Sequence, residues 1–425
     1  MKKHSTVAWH REIPVRYECD VAVIGGGIAG TSAALAAARS GARVLIVEQF
    51  GVVGGNATVG GVAAFCGETG GQGEAFDAIV EALESFKAIE PYRPYPEADN
   101  RIFDHEILAF VLQELLLRRG VHMLLHTQIA DVRESGGRVT ECILSGPSGP
   151  EAVRANQFID CTGEAKLVHL AGFETVQGRP GDGLQLPMSL MFFVRDANEK
   201  DIRVQVPDGW IEPIRNDDAL PMTTIWPNGP RGRAIKIKIP KFDAGDTESL
   251  TAAEIQARRR MMQVLDYYQR VKKEPWLFDH CSPRIGIREG RRIAGEYTLT
   301  LEDVRAGRTF DDAIARGVYF LDGHKPDDDK RTYILSKDDL KVPPYQIPFR
   351  CLLPINSENV LAAGRCMSAE QLTLSSARVM TTCSMMGQAA GIAAALAVKR
   401  NCTLRALEYS DIRKTACGRN AIIDL

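Results

Sequence analysis

A run of arginines in the second half of the chain is the first feature that could do chemistry. The stretch RIGIREGRRIAGEY holds Arg284, Arg288, Arg291 and Arg292 within nine residues, with Glu289 among them. The cluster has three interpretations: a nucleic-acid patch, a network of ion pairs in water, or an anion site in a cleft. Side chains alternate along an extended segment, so Arg284 and Arg288 would share a face and clamp an anion. The ion-pair network, with Glu289 as one partner, remains open.

Three more residues, later in the chain, are suited to proton transfer or substrate binding. Asp322 and His324 lie two positions apart in YFLDGHKP, so both can face one way if this loop is extended. A carboxylate can orient an imidazole, which titrates near neutrality and suits acid–base catalysis. The alternative is a loop histidine in water. Arg350 lies between two prolines in PYQIPFRCLLP and should be rigid, which makes it a further catalytic candidate.

The front of the chain has the spacing of a nucleotide-binding turn. The segment CDVAVIGGGIAGTSAALAAARSGARVLIVEQ predicts strand, turn, helix and strand, with Gly25, Gly27 and Gly30 in GxGxxG spacing. Gly25 would permit the tight turn, Gly27 the approach of a pyrophosphate, and Gly30 close packing of helix on strand. The free N–H groups at the helix start attract phosphate. Glu48, at the end of the second strand, would accept the ribose hydroxyls.

A second glycine-rich loop distinguishes between FAD and NAD. The segment GVVGGNATVGGV follows shortly after Glu48 and contains the doublets Gly54-Gly55 and Gly60-Gly61. An NAD domain would normally continue into another helix at this point. FAD extends its isoalloxazine beyond the first βαβ unit, where glycines let the backbone approach it. The sequence therefore predicts FAD.

Two later strand ends point to the same cofactor. NQFIDCTGEA and SENVLAAGRC each predict an apolar strand, ending at Thr162-Gly163 and at Gly364-Arg365. A long Ala-rich helix, SSARVMTTCSMMGQAAGIAAALAVKR, follows the second strand, and its N-terminus would point at the flavin. Arg378 lies at the start of this helix, where a cation opposes the dipole unless it meets an anion. We therefore expect Arg378 to contact the reduced flavin.

Composition excludes several classes of protein. A chain of 425 residues suits two lobes. The 52 Lys and Arg against 54 Asp and Glu leave a net charge of −2, which argues against a dedicated nucleic-acid binder. The N-terminal segment lacks the apolar region of a secretory signal, and AAGIAAALAV falls short of the roughly 18 residues of a membrane span. The cysteines form no CxxC pair, so we expect reduced thiols and a cytoplasmic location.

The middle of the chain differs in character from both ends. It is turn-rich, contains an amphipathic helix around QARRRMMQVLDYYQR, and includes AIKIKIP, interpreted as an edge strand with its lysines outward. We predict an α/β fold in which a Rossmann-like FAD-binding domain of the glutathione-reductase type is split by an inserted α+β substrate domain. The predicted boundaries are 1–172 and 343–425 for the FAD-binding domain and 173–342 for the insertion.

Taken together, these motifs resemble the FAD-dependent oxidoreductase family related to the succinate dehydrogenase and fumarate reductase flavoproteins. More narrowly, the chain resembles a branch similar to heterodisulfide reductase A. The resemblance covers nearly the whole chain, through VIGGGIAG, GGNATVGG, FIDCTGEA, RIGIREGRRIAGEYTLT, PYQIPFR and AAGRCMSAEQ. It implies FAD contacts at Gly25, Gly27, Ala29, Gly30, Glu48, Gly54, Gly55, Ile129, Thr162, Gly163, Gly364 and Arg365.

Three departures from related families qualify what the resemblance implies. Arg365 stands where relatives similar to glutathione reductase place an Asp. The flavin-linking His of succinate dehydrogenases is absent from GGNATVGG, so we expect non-covalent FAD. A second GxGxxG and a redox CxxC are both missing from the sequence, which argues against an NADPH-fed disulfide reductase.

The predicted function is hydride exchange between FAD and a small polar substrate that bears a carboxylate or several hydroxyls. Electrons would pass to oxygen, a quinone or a partner protein. The catalytic candidates are His324, Arg284, Arg288 and Arg350, and no residue is assigned to a metal. The alternatives are a fumarate-reductase-like enoate reductase, an RNA-modifying flavoprotein and an electron-relay subunit. We expect no nucleic-acid or membrane partner, and the sequence leaves the oligomeric state open.

Overall fold

The computed structural model describes residues 6–198, 201 and 203–425. Its strands are β1 (Val15–Ile24), β2 (Val44–Val47), β3 (Ala64–Cys66), β4 (Asn100–Ile102), β5 (His122–Leu124), β6 (Gln128–Ser135), β7 (Arg138–Gly146), β8 (Gly149–Asp160), β9 (Thr175–Gln177), β10 (Met188–Asp196), β11 (Thr223–Pro227), β12 (Gly232–Ile239), β13 (Trp276–Cys281), β14 (Arg291–Ile293), β15 (Ala313–Gly317), β16 (Tyr345–Pro348) and β17 (Val360–Ala362). Its helices are α1 (Ile28–Arg39), α2 (Glu74–Ser85), α3 (His105–Arg118), α4 (Lys166–Leu170), α5 (Thr247–Arg270), α6 (Leu301–Ala306), α7 (Gln371–Ala377), α8 (Met380–Arg400) and α9 (Tyr409–Cys417).

The first sheet has a parallel centre. Strands β5, β2, β1 and β8 pair in parallel in that order, and β17 pairs in parallel with the end of β8, with Val360 opposite Phe158. Strands β7 and β6 extend the sheet beyond the start of β8 in antiparallel fashion. Helices cover a parallel sheet on both faces, which accounts for the fully buried apolar run of β2. The predicted Rossmann-like α/β core is confirmed.

The long C-terminal helix packs directly on the first helix. A Cβ added at Gly387 would lie 2.1 Å from the carbonyl oxygen of Ala29, and one added at Gly391 would lie 2.2 Å from that of Ala33. Glycines four residues apart therefore let α8 approach the backbone of α1. The sequence predicted one continuous helix here, but the structure has two, because the chain turns at Arg378 between α7 and α8.

Helix α8 has the length and composition of a membrane span, although 89% of its most apolar window is buried within the protein. The sequence estimate considered only ten of its residues, whereas the helix has 21. Its apolar surface is covered by α1, α2, α9 and β15, which is the environment of a core helix. The cytoplasmic location stays a prediction.

A second, antiparallel sheet has the order β11-β12-β10-β13. One of its faces packs on α5, where Phe192, Ile235 and Ile237 share a core with Val264. Strand β12 lies between β11 and β10, so the prediction that AIKIKIP is an edge strand with outward lysines is wrong. The physical reason is that alternation identifies the core face only. It does not show whether the polar face meets solvent or a cavity.

The chain enters the second sheet after β9 and returns to the first at β17. Strand β9 pairs with β14, with Thr175 opposite Ile293, beside the point where the chain leaves the first sheet. The order of elements therefore places the second sheet between two contributions to the first. The three predicted domain boundaries stay predictions.

Candidate active site

A cavity of about 680 Å³ lies at the carboxyl ends of the parallel strands and extends to the second sheet. This is the position at which open α/β sheets bind ligands, and the volume lies within the usual range for small-molecule and cofactor sites. Residues that follow the strands of the first sheet line one side of it: Gly25, Glu48, Cys161, Thr162, Gly163, Ala363, Gly364 and Arg365. The face of the second sheet that is turned away from α5 supplies the opposite wall: Ser189, Met191, Thr224, Trp226 and Lys236, with Met222 directly before β11.

The turn between β1 and α1 has the geometry that a dinucleotide requires. Gly25 has φ +101°, and a Cβ there would lie 2.5 Å from the carbonyl oxygen of Cys161. A Cβ on Gly27 would meet nothing within 4 Å, so the backbone there is open to a ligand. Gly30 does not line the cavity, and its Cβ would lie 1.9 Å from the Gly25 carbonyl oxygen. Gly30 therefore serves the close packing of α1 rather than direct contact.

The other predicted FAD contacts also line this cavity: Ala29, Gly54, Gly55, Ile129, Thr162, Gly163, Gly364, Arg365 and Arg378. The structure thus brings together glycines from the first turn, the second glycine-rich loop and two later strand ends. Their contact with the cofactor stays a prediction.

Glu48 is buried at the end of β2 and faces the cavity. Its carboxylate accepts hydrogen bonds from the backbone N–H groups of Gly26 at 2.7 Å and Phe50 at 3.0 Å. Burial raises the pKa of this carboxyl, and the two N–H groups oppose that rise. These bonds fix the carboxylate at the mouth of the first turn, where it could accept ribose hydroxyls.

Asp160, at the end of β8, was not singled out in the sequence. It is fully buried and accepts hydrogen bonds from the backbone N–H of Thr162 at 3.0 Å, from its hydroxyl at 2.7 Å, and from the N–H of Val168 at 3.1 Å. Asp160 therefore holds the Thr162-Gly163 turn in place without lining the cavity. In the sequence, Asp160 is an acidic residue just before the Thr162-Gly163 turn. Acidic residues are common in ordinary turns, so the sequence alone does not show that this one supports a binding site.

The four arginines of the cluster do not lie at one site: two line the cavity and two lie outside it. Ile285 and Ile287 are buried in the core beneath the second sheet, whereas Arg284 and Arg288 line the cavity, so the predicted alternation is present. The segment is extended but is not a strand, and its Gly286 forms one bridge to Ser189.

Arg284 and Arg288 have separate neighbours in the cavity. Arg284 lies 3.3 Å from the carboxylate of Glu164, which Arg365 also approaches at 3.7 Å, and its guanidinium lies 5.0 Å from the ring centre of Phe50. These neighbours follow β2, β8 and β17, so Arg284 belongs to the dinucleotide half. The prediction of one clamp formed by both arginines is not supported, because Arg284 already has a counter-ion.

The remaining arginines of the cluster serve the fold. Arg292 is buried and pairs with the fully buried Glu289, which also accepts from the backbone N–H of Leu186 and the amide of Gln371. The ion-pair interpretation therefore holds for Arg292. Arg291 is partly exposed and does not line the cavity.

Arg288 is buried at the far end of the cavity. Its guanidinium donates to the carbonyl oxygen of Pro187 at 2.8 Å and to the hydroxyl of Ser189 at 2.5 Å, both of which are neutral. Burial and the nearby charge of Arg378 lower the pKa of Arg288 to about 10. A buried cation without a bonded carboxylate is expensive unless an anion joins it.

His324 and Asp322 lie together beside Arg288. Nε2 of the imidazole lies 3.1 Å from the Asp322 carboxylate, as the sequence predicted, and this carboxylate also accepts from Arg378 at 2.9 Å. Among the described residues, buried Nδ1 of His324 has no hydrogen-bond partner. Burial and then the charge of Arg288 lower the pKa of His324 to about 3. The expectation that this histidine titrates near neutrality is therefore wrong.

Arg378 lies between two helices. It caps the C-terminus of α7, where the helix dipole favours a cation, and it directly precedes Val379, the N-cap residue of α8, so it also lies at the predicted helix start. Its anion is Asp322. For Asp322, burial alone would raise the pKa of the carboxyl, but the His324 ring and the positive charges of Arg378 and Lys236 lower it.

Arg350 does not line the cavity. Its guanidinium is bonded to Asp312 at 2.9 Å and 3.1 Å and lies over the ring of Tyr297. The prediction that Arg350 is catalytic is wrong for this site, since a bidentate carboxylate already occupies the side chain. Its rigidity, which the flanking prolines suggested, serves this ion pair.

Two further side chains line the far end. Cys66 has its pKa raised by burial to about 11, which keeps the thiol protonated at neutral pH. Lys236 projects from β12 beside Met191, its partner on β10. The alternation in AIKIKIP did not point to Lys236, because it predicted an edge strand with its lysines in solvent.

The dinucleotide half of the cavity fits FAD on its own chemistry. The backbone at Gly27 is open, and the N-terminus of α1 faces the cavity without a side-chain cap. In the described part of the chain, buried Nε of Arg365 has no hydrogen-bond partner, although this side chain lines the cavity. A phosphate-bearing ligand would satisfy both features.

Comparison with known sequences agrees with this geometry. A protein-family model described as FAD dependent oxidoreductase matches residues 20–415. The thiamine thiazole synthase of Aeropyrum pernix is 30% identical over 162 residues, which cover 35% of this chain and 56% of that enzyme. The chain therefore matches little more than half the length of this relative.

Solved structures align with most of this chain at low identity. The BexE protein of BE-7585A biosynthesis is 15% identical with a TM-score of 0.50, covering 95% of this chain and 66% of BexE. A geranylgeranyl bacteriochlorophyll reductase-like protein from Thermoplasma acidophilum is 12% identical with a TM-score of 0.48, covering 96% and 92% of the two chains.

The family match begins within β1 and includes β17, the last strand of the first sheet. It also includes every strand of the second sheet. It includes every element that lines the cavity, from the glycine turn after β1 to the start of α8. The chain belongs to the FAD-dependent oxidoreductase family.

Proposed function

We propose that this protein exchanges a hydride between non-covalent FAD and a small substrate that carries a carboxylate. The observation that supports this most is Arg288, a buried guanidinium that lines the cavity and bonds only neutral oxygens among the described residues. Arginine suits a carboxylate because its planar fork can donate two parallel hydrogen bonds. A substrate carboxylate would supply the counter-charge that Arg288 lacks.

The charges around Arg288 favour an anion as well. Three cations, Arg288, Lys236 and Arg378, line this end together with two carboxylates, Asp322 and Asp99. The imidazole of His324 is neutral at physiological pH, because its pKa is lowered to about 3. The local excess of positive charge therefore amounts to about one before a substrate binds, and this excess attracts an anionic ligand.

His324 would orient the substrate rather than accept its proton. Since Nε2 faces the Asp322 carboxylate, the neutral ring carries its proton on Nε2 and leaves a lone pair on Nδ1. Among the described residues this buried nitrogen has no partner. A hydroxyl or amino group of the substrate could donate to it, which would fix the carbon that reacts.

FAD supplies hydride transfer when it is bound. We infer that Gly25, Gly27 and the start of α1 hold its phosphates, and that Glu48 holds its ribose. Arg284 and Arg365 would add positive charge beside the phosphates. Electrons would then leave to oxygen, a quinone or a partner protein, since the sequence has no second GxGxxG for a nicotinamide cofactor.

A second candidate is reduction of an unsaturated acid, as in the fumarate reductases that the sequence resembles. The presence of two arginines, Arg288 and Arg378, at one end of the cavity favours this alternative. In this alternative the substrate carboxylate binds at the same site, but the hydride passes from the flavin to the substrate. The two candidates differ in whether substrate bleaches oxidised flavin or restores the colour of reduced flavin.

The test is anaerobic flavin spectroscopy with matched substrates. Hydroxy- and amino-carboxylates are added to the oxidised enzyme and unsaturated carboxylates to the reduced enzyme, each beside its uncharged amide. We expect a carboxylate to react and its amide not to. Arg288→Met should raise KM at unchanged FAD content, whereas Arg291→Met, outside the cavity, should not. Equal reaction of the amides, or normal binding by Arg288→Met, would contradict the proposal.

A further inference from the structure

Lys236 is an amine in the wall of the candidate substrate site. It lies on β12, opposite Met191 of β10 and Thr224 of β11, and all three side chains line the cavity. In the described residues its ammonium group makes no ion pair or hydrogen bond. Lys238, two residues along the same face, instead donates to the carbonyl oxygen of Arg331 at 2.7 Å. The two lysines therefore differ: one serves the fold and the other is available to a ligand.

The titratable groups that face Lys236 come from four separate segments: Arg288 after β13, Asp322 after β15, Arg378 after α7 and Cys66 at the end of β3. Burial and then the charge of Arg288 lower the pKa of Lys236 to about 8, while Asp322 and Cys66 oppose the change.

The other titratable groups at this end have pKa values far from neutrality. Burial and Arg288 lower the pKa of His324 to about 3, and burial raises that of Cys66 to about 11. Burial also raises the pKa of Tyr319 well above its usual value. Of these side chains, only Lys236 has a substantial neutral fraction and a substantial charged fraction near physiological pH.

We propose that Lys236 exchanges a proton with the substrate, and that the substrate is a small hydroxy- or amino-carboxylate whose carboxylate lies on Arg288. This inference rests on the proposed function and names the substrate class for the same site. A desolvated lysine beside another cation is a recognised form of general base.

The proposed step balances in atoms and electrons. The C–H bond of the substrate breaks, and the hydrogen leaves with its electron pair to the flavin, which is the oxidant. The O–H or N–H bond on the same carbon breaks, and its proton passes to the neutral amine of Lys236. A C=O or C=N bond forms, and Lys236 becomes an ammonium. In the reverse direction the ammonium returns the proton.

The first experiment needs no substrate. The FAD-loaded protein is labelled with limiting acetic anhydride across pH 6–10, and each lysine is quantified by peptide mass spectrometry, with exposed Lys399 as the internal reference. We expect half-maximal labelling of Lys236 near pH 8, a higher midpoint in Arg288→Met, and protection by lactate or alanine used as probes. A Lys236 that stays unlabelled, or a midpoint that Arg288→Met leaves unchanged, would overturn the inference.

The second experiment measures the reaction. Lys236→Ala should slow anaerobic flavin reduction by hydroxy- or amino-carboxylates about 10²–10⁴-fold, and added ethylamine should restore part of the rate. Lys236→Arg keeps a cation and a long side chain but cannot release its proton, so it should bind FAD normally and remain slow. Lys238→Met, which changes a lysine outside the cavity, is the matched control.

The outcomes separate this inference from the proposed function. If no carboxylate reduces the wild-type flavin while uncharged alcohols or amines do, the proposed function fails and the substrate class fails with it. If hydroxy- or amino-carboxylates reduce the wild type and both Lys236 variants equally fast, the proposed function stands and Lys236 is not the proton acceptor. A slow Lys236→Ala without amine rescue would indicate a structural role.

Discussion

At the scale of single residues, Glu48 combines a structural role with a proposed role in binding. Its two oxygens accept one backbone N–H each, from Gly26 and Phe50, while the carboxylate still faces the cavity. Each carboxylate oxygen has a further lone pair. The side chain can therefore hold the turn after β1 and accept ribose hydroxyls at the same time.

We expect Glu48→Gln to weaken FAD binding. The amide cannot accept on both sides, and hydrogen bonds to a charged acceptor contribute roughly 1.5–3 kcal/mol. The dissociation constant for FAD should therefore rise by about ten-fold to about a hundred-fold, measured by quenching of FAD fluorescence. Glu18→Gln, an exposed change on β1, is the control and should bind as wild type. Unchanged affinity in Glu48→Gln would mean that the ribose lies elsewhere.

His324 should make the protein sensitive to acid. Its pKa in the folded state is about 3, below the value near 6.5 of an unfolded chain. The folded state thus binds fewer protons, so its contribution to stability is full above pH 6.5 and is lost as the pH falls toward 3. The pKa of Asp322 is also lowered in the folded state, so this carboxyl likewise makes the protein less stable as the pH falls, but at lower pH than His324 does.

The corresponding measurement is the melting temperature between pH 7.5 and pH 4.5. We expect His324→Gln to reduce the loss of melting temperature over this range relative to wild type, whatever its effect at pH 7.5. His10→Gln, an exposed change near the N-terminus, should keep the wild-type slope. Parallel slopes for wild type and His324→Gln would show that the imidazole is not held neutral by its surroundings.

The sequence identified side chains better than their environments. Alternation correctly placed Arg284 and Arg288 on the cavity side, yet it could not show that Glu164, from a distant segment, is the counter-ion of Arg284. The same limit affected His324. Its expected pKa followed from the residue type, whereas the observed shift depends on burial and on Arg288, 36 positions earlier in the chain.

At the scale of secondary-structure elements, local patterns were sufficient for the first sheet. The apolar runs of β1 and β2 and the glycines between β1 and α1 predicted the βαβ unit, because these features act between neighbouring residues. The second sheet was less predictable. Strand β12 has the alternation of an edge strand. It forms a hairpin with β11, which directly precedes it, and its central position depends on pairing with β10, which is distant in sequence.

The contact between α1 and α8 gives a prediction at this scale. Gly391→Ala would place a methyl group 2.2 Å from the carbonyl oxygen of Ala33, and backbone atoms cannot move aside cheaply. We expect a loss of about 1–3 kcal/mol in the free energy of unfolding, measured by chemical denaturation. Gly418→Ala at the end of α9, where the nearest atom is 3.2 Å away, is the control and should lose less. Equal losses would mean that the helices can separate without cost.

At the scale of the whole molecule, the cavity lies between the two sheets. Its walls are the strand ends of the first sheet and the face of the second sheet that is turned away from α5. Segments that precede the second sheet in the chain and segments that follow it both contribute to this site. A cofactor in this position touches segments from nearly the whole length of the chain. Its binding should therefore stabilise the protein as a unit.

We expect FAD to raise the melting temperature of the apoprotein by an amount set by mass action. A ligand at a hundred times its dissociation constant adds about 2.7 kcal/mol to the folded state. A chain of 425 residues has an unfolding entropy of about 0.9 kcal/mol per degree near 60 °C. The expected rise is therefore about 3 °C, with a further rise of about 1.5 °C for each ten-fold increase in FAD.

The controls for this measurement are two other ligands, FMN and NAD, and one variant, Glu48→Gln. FMN lacks the adenosine that Glu48 would hold, and NAD lacks the isoalloxazine, so neither should reproduce the rise at equal concentration. Glu48→Gln should need more FAD for the same increase, because the curve shifts with the dissociation constant. Trp226 lines the cavity from the second sheet, so its fluorescence should fall as FAD binds. If FAD quenched the fluorescence without raising the melting temperature, it would bind the unfolded chain as well as the folded protein, and a site built only by the fold would be contradicted.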